Sequence, residues 1–356
     1  MLKARRCVQE MREYHSPLHS PALELQLDMN ENTSGCSPRV LARLNGLNAK
    51  TLALYRGRES GEQLVADFLG LDCSELLLTN GADEGIDLVC RAYLDPGNEI
   101  IVVVPAFAMY EVFAQTTGAK IVRVPAGPEF AFPSERVLAA IGPRTRVVVI
   151  TNPNNPTGVA ADRSDILKVL QAAPDAAVLL DEAYFDFYGQ SMIDQIGKIP
   201  NLFVARTFSK AYGLAGLRLG VMAGDARQIS VLRRMCPPFN CNVFALECLE
   251  EALADRQFVA AYVAQVKATR EWLRRELESL GLKCWPSHTN FLLCQFGATK
   301  ATILKRLRAR GISLRDRPDC QGCVRISIGK QQEMERVLAA LKEAMVEDAS
   351  QQQVVR

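Results

Sequence analysis

From about residue 62 the chain alternates short, continuously apolar runs with helical stretches, and no other feature restricts its fold as much. The apolar runs are 75–78, 100–104, 121–124, 147–151, 178–181, 202–207 and 219–222. Stretches of helical period, such as 82–92, 108–117 and 164–172, lie between them. A strand that is apolar on both faces has to be covered on both faces, and strands joined through helices run parallel. The sequence therefore predicts an α/β fold whose large domain carries a mostly parallel central sheet.

The texture changes after Cys241. Two long helices are predicted at 244–254 and 258–280, the second linking two domains. A strand at 290–295, a helix at 299–310, a strand at 324–328 and a helix at 331–345 follow, which make a small α+β unit. Residues 1–35 read as an irregular arm punctuated by Ser16-Pro17, Ser20-Pro21 and Asn30-Glu31-Asn32. The expected division is an arm over 1–40 that contributes to the small domain and the active site, a large domain over 41–255, a small domain over 256–350 and a tail over 351–356.

Charge and cysteine content exclude some classes. A net charge of +2 on 356 residues gives no bulk attraction to nucleic acid or to a membrane. No apolar run reaches membrane-spanning length, and the charged first fourteen residues do not form a signal peptide. Eleven cysteines without an export signal point to reduced thiols and a cytoplasmic enzyme. Cys320 and Cys323 form a Cys-x-x-Cys, but it precedes a strand rather than a helix and lacks two further spaced ligands, so no metal site is expected.

The residues that carry chemistry fall at predicted strand ends, where open α/β sheets bind ligands. Lys210 follows the run 202–207 within Thr207-Phe208-Ser209-Lys210. Asp181 ends the run 178–181, with Tyr184 three positions on. Asn155 lies in Asn154-Asn155-Pro156-Thr157-Gly158. One amine, one carboxylate, one phenol and one amide suit pyridoxal 5′-phosphate (PLP): its aldehyde takes a lysine, its ring nitrogen a carboxylate and its 3′-oxygen hydrogen-bond donors. Asn80-Gly81-Ala82-Asp83 opens a helix, so the free N–H groups of Ala82 and Asp83 point toward an anion, and Ser209 and Arg218 add a hydroxyl and a guanidinium. Phe107, just past the run 100–104, either stacks on a ring or fills the core. Arg325, a charge between apolar strand neighbours, and Arg315 are candidate anion binders; a structural salt bridge is the alternative for each.

In this combination and order these motifs resemble the histidinol-phosphate aminotransferase family, fold type I PLP-dependent transferases of the class I/II group. The likeness runs from Leu27-Asp28-Met29-Asn30-Glu31-Asn32 to Val324-Arg325-Ile326-Ser327-Ile328-Gly329. It implies Lys210 as the Schiff-base lysine, Asp181 as the partner of the pyridinium, and Asn155 and Tyr184 on the 3′-oxygen. It implies Ala82, Asp83, Ser209 and Arg218 at the phosphate, Phe107 against the ring, and Tyr55 crossing a homodimer interface to the partner's phosphate. Tyr14, Asn30, Arg315 and Arg325 would meet the substrate. Where the family usually has proline after the tyrosine matching Tyr55, this chain has Arg56. The implied activity is amino transfer between histidinol phosphate and 2-oxoglutarate, with glutamate as donor of the other half-reaction. An aromatic amino acid aminotransferase and a threonine-phosphate decarboxylase-like lyase would use the same Lys210 and Asp181.

Overall fold

A computed structural model of the chain describes residues 2–13 and 23–354, with 348–354 described as backbone only. Twelve strands form two sheets among the described residues: β1 (Leu25–Leu27), β2 (Leu76–Thr79), β3 (Glu99–Val104), β4 (Lys120–Pro125), β5 (Thr145–Thr151), β6 (Ala177–Asp181), β7 (Leu202–Thr207), β8 (Gly220–Gly224), β9 (Lys283–Cys284), β10 (Phe291–Gln295), β11 (Ile312–Arg317) and β12 (Cys323–Ser327).

The larger sheet has the order β2-β8-β7-β6-β5-β3-β4. Every strand in it is parallel to the rest except β8, which runs antiparallel to both neighbours. The predicted two-faced burial follows the strand period of two. Leu76, Leu78, Val148, Ile150, Val178, Leu180 and Val204 pack into one apolar layer. Leu77, Val147, Val149, Leu179, Phe203 and Ala205 pack into the layer on the opposite face. Burying each large aliphatic side chain contributes about 1.5–3 kcal/mol, so the central strands are held from both sides. Helices Gly81–Tyr93 and Arg163–Ala172 are among those that cover them.

The second sheet has the order β1-β11-β12-β10-β9 and a separate core containing Phe291, Ile326, Leu307 and Leu341. The helix Arg256–Ser279 carries Tyr262, Val266, Leu273 and Leu277 into that core. Asp255 caps its N-terminus by accepting from the Phe258 N–H.

Several elements depart from the sequence expectation, among them β1, β11 and the last helix. The arm contains β1, which pairs in parallel with Ile312–Leu314 of β11. Strand β11 itself was not foreseen, because Ser313, Arg315 and Arg317 give it a polar face. The last helix was expected to end at 345 and instead runs Gln331–Val354, into the stretch read as a tail. Arg306 donates to the Ala344 carbonyl (2.6 Å) near the expected end, and Arg310, capping the helix Lys300–Ala309, donates to Glu347 (2.6 Å) in the added stretch. No helix among the described residues is long and apolar enough to cross a membrane.

Candidate active site

The carboxyl ends of β3, β5, β6 and β7 open into a cavity of about 1020 Å³, closed on the far side by residues of β11, β12 and the arm. Lys210, Asp181, Tyr184, Asn155, Ala82, Asp83, Phe107, Ser209, Arg218, Asn30, Arg315 and Arg325 all line it. Of the sequence-derived candidates among the described residues, Tyr55 does not. Tyr14 lies outside the described residues. Tyr55 is 83% exposed and stacks on Phe239, with ring centroids 4.7 Å apart, away from the cavity.

Lys210 sits in the turn that leaves β7, and its Nζ donates to the Met29 carbonyl (3.0 Å). Burial, then the nearby Arg325 guanidinium, pulls its ammonium from 10.5 down to about 8. A lysine so placed spends a useful fraction of time as the neutral amine near neutral pH. The shift also sets a stability trend. Between about 8 and 10.5 the unfolded chain holds the Lys210 proton and the folded chain has released it. Protein free of cofactor therefore gains stability as pH rises through that window, on the order of 3 kcal/mol from this group. Buried thiols such as Cys90, pushed up to about 12, act in the opposite direction. The quantity to measure is thus the difference in urea unfolding between wild type and Lys210→Met from pH 8 to 10.5: the wild type should gain relative to the variant, and parallel curves would contradict the shift.

Asp181 is 4% exposed at the end of β6. Its Oδ1 accepts from the Ala183 N–H (2.9 Å) and its Oδ2 from the Tyr110 hydroxyl (2.5 Å). Burial pushes its carboxyl up, while these two donors pull it back toward the ionised form. Tyr184 accepts from Asn30 Nδ2 (2.8 Å). Asn30 has φ of 56°, donates through its backbone N–H to Ser327 Oγ (3.0 Å), and gives its carbonyl to Asn290 (2.9 Å). The arm is thereby fastened to β12 while its side chain faces Tyr184.

The anion cradle forms where β8 meets the start of the helix Gly81–Tyr93. A side chain is not tolerated there: a Cβ on Gly220 would come within 2.5 Å of the Gly81 carbonyl carbon and 2.6 Å of the Ala82 nitrogen. Gly81, at φ of 77°, lies so close to Arg218 that its own Cβ would reach within 2.5 Å of Nη2. Asp83 holds that guanidinium at the helix entrance (2.9 Å). The free N–H groups of the first helical turn and a bidentate cation therefore face the same volume.

Arg325 is 5% exposed; Nη1 donates to Asn155 Oδ1 (2.5 Å) and Nη2 to the Asp28 carbonyl (2.6 Å). Arg315 is its direct cross-strand partner between β11 and β12. Like charges facing each other across a ladder repel, and an anion between them relieves this. Asp316 turns away from the pair to Lys300 (2.7 Å).

Other cavity groups were not singled out in the sequence: Tyr110, and two ion pairs at the rim, Arg123 with Glu111 (2.6 Å) and Arg317 with Asp319 (2.5 Å). Tyr110 had one usable signal, a polar-tipped aromatic in the first turn after a strand end. Cys320 and Cys323 are buried beside Trp285 and Leu293, and burial holds the Cys320 thiol up at about 12. Among the described residues no group of three or more His, Cys, Asp or Glu is placed to hold a metal ion.

These residues fit pyridoxal phosphate. The glycine-bounded cradle beside Arg218 accepts a phosphate, the depressed Lys210 amine suits an aldehyde, and a buried, twice-bonded Asp181 suits a cationic ring nitrogen.

The sequence profile of aminotransferases of class I and II matches residues 24–341. The chain is 33% identical over 323 residues to a histidinol-phosphate aminotransferase of Dehalococcoides mccartyi, covering 90% of each protein. It is 37% identical over 332 residues to one of Roseiflexus castenholzii, covering 90% of this chain and 89% of that one. Among solved structures it is similar in fold to the histidinol-phosphate aminotransferase of Sinorhizobium meliloti in complex with pyridoxal-5′-phosphate, with a TM-score of 0.88 and 24% identity over 97% of this chain and 98% of that one.

Proposed function

This chain belongs to the class I and II aminotransferase family, and we propose on that premise that it is a PLP-dependent histidinol-phosphate aminotransferase, exchanging the amino group between L-histidinol phosphate and 2-oxoglutarate in histidine biosynthesis. The observation that carries the chemistry is that Lys210 and Asp181, from the ends of two adjacent parallel strands, meet in one cavity with Arg325 opposite. The substrate follows from the curated relatives, which are histidinol-phosphate aminotransferases over nine-tenths of the chain.

When bound, PLP supplies an aldehyde that captures amines and a cationic ring that accepts the electron pair released at the substrate's Cα. The chain's own groups make that chemistry selective. Ala82, Asp83, Ser209 and Arg218 anchor the phosphate. Phe107 would lie against the ring, and Asn155 and Tyr184 would bond its 3′-oxygen. Asp181 retains the proton on the ring nitrogen. Lys210 Nζ, held near neutrality by burial, takes the proton that leaves Cα. Arg325 and Arg315 bind whichever anion the substrate brings, since a guanidinium pairs bidentately with carboxylate and phosphate alike. This double competence is what a site alternating between a phosphate ester and a dicarboxylate requires.

A homodimer and a reducing, cytoplasmic setting belong to the same proposal. Leu41, Leu52, Leu54, Tyr55, Phe239 and Phe244 are between 39% and 83% exposed, and Tyr55 and Phe239 stack on each other at the surface, apolar groups that a homodimer would bury. All eleven cysteines are free thiols. Light scattering should give twice the 39.3 kDa chain mass; a single-chain mass at micromolar concentration would remove the dimer and the role of Tyr55 in it.

The substrate assignment is tested by comparing histidinol phosphate, phenylalanine and tyrosine as amino donors to 2-oxoglutarate. Histidinol phosphate should give the highest kcat/KM, and preference for an aromatic donor would reassign the enzyme.

A further inference from the structure

We infer that Tyr110 is a positioning residue that holds the Asp181 carboxylate for the cofactor's ring nitrogen, with Thr151 fixing the direction of the Tyr110 hydroxyl proton; this deepens, and rests on, the aminotransferase reading above. The chain of donors is continuous. Thr151 Oγ1 donates to the Tyr110 hydroxyl (2.9 Å), which donates to Asp181 Oδ2 (2.5 Å). The fold dictates this juxtaposition, because Thr151 and Asp181 are direct partners in the pairing of β5 with β6. Tyr110 enters from the first turn of the helix Met109–Thr117 and is fully buried.

A carboxylate this deep tends to take up a proton, and a neutral acid cannot pair with a cationic ring nitrogen. Two donors oppose that tendency, one to each oxygen. The Ala183 N–H is part of the turn after β6 and comes with the backbone. The Tyr110 hydroxyl is the contribution made by a side chain. Burial and the adjacent Asp181 keep that phenol protonated, so it remains a donor across the working pH range. The Tyr110 ring meets Phe107 edge-on, with centroids 5.7 Å apart. Tyr110→Phe therefore keeps the packing and removes only the O–H.

The test is equilibrium binding to full-length protein stripped of cofactor, using PLP and its analogue with carbon in place of the ring nitrogen. Tyr110→Phe should weaken PLP binding about tenfold, the worth of one hydrogen bond to a charged group, and leave binding of the analogue unchanged. Thr151→Val should show the same contrast at smaller amplitude, and it carries the test if Tyr110→Phe fails to fold. Equal losses for both ligands would mean that the residue only packs, and no loss for PLP would mean that its hydroxyl does not serve Asp181. Either result overturns the inference while leaving the aminotransferase reading intact. Wild-type protein that takes up neither ligand would overturn both.

Discussion

Lys210→Ala should lower amino transfer on the order of 10⁴-fold, the upper end of what a positioned proton carrier supplies, while the protein still folds and still binds PLP without a covalent bond. The two outcomes separate because, apart from Ser209, the phosphate cradle belongs to other elements, as do the Asp181 carboxylate and the wall at Phe107. The lysine touches none of their hydrogen bonds; its own Nζ contact is to the Met29 carbonyl. The loss should fall on kcat. Single-turnover absorbance with glutamate measures it directly, and a variant retaining more than about a tenth of the wild-type rate would mean that another base carries the Cα proton.

Asp181→Asn should have the second largest effect, about 10²–10³-fold on kcat, the range seen when one preorganised electrostatic partner of the reacting group is removed. The amide preserves shape, and its single oxygen can still accept from the Ala183 N–H, while its NH2 would replace the oxygen that accepts from the Tyr110 hydroxyl. It cannot stabilise a proton on the ring nitrogen, so the ring loses its pull on the electron pair at Cα. Protonation on that nitrogen is therefore the property to follow, by comparing the variant's rates with PLP and with the analogue that lacks it. Wild type should lose strongly with the analogue and Asp181→Asn should lose little. A variant that remained as sensitive as wild type would show that the carboxylate acts elsewhere.

Much of this site was legible because its residues sit at the ends of strands whose composition announces them. The run 202–207 coincides with β7 and delivers Lys210; the run ending at 181 delivers Asp181 at the end of β6. The cradle was legible because a glycine between a strand and a helix has few other uses, and the atoms around Gly81 and Gly220 leave no room for a side chain. What stayed hidden depends on contacts between distant parts of the chain. Strand β1 is three residues long and exists because β11 offers it an edge. Strand β11 has a polar face turned toward the cavity, and its pattern of Arg315 and Arg317 resembles a loop. Tyr110 stood inside a correctly placed helix, but no local pattern specifies that its hydroxyl meets a carboxylate 71 residues away. The pairing of Arg123 with Glu111 and of Arg317 with Asp319 at the rim is likewise a product of packing.

The roles assigned to every other group presuppose that PLP is joined to one lysine. Borohydride reduction of PLP-saturated protein, followed by proteolysis and mass spectrometry, should place a single pyridoxyl phosphate label on the peptide carrying Ser209-Lys210-Ala211. A label on any other lysine, or none at all, would contradict it.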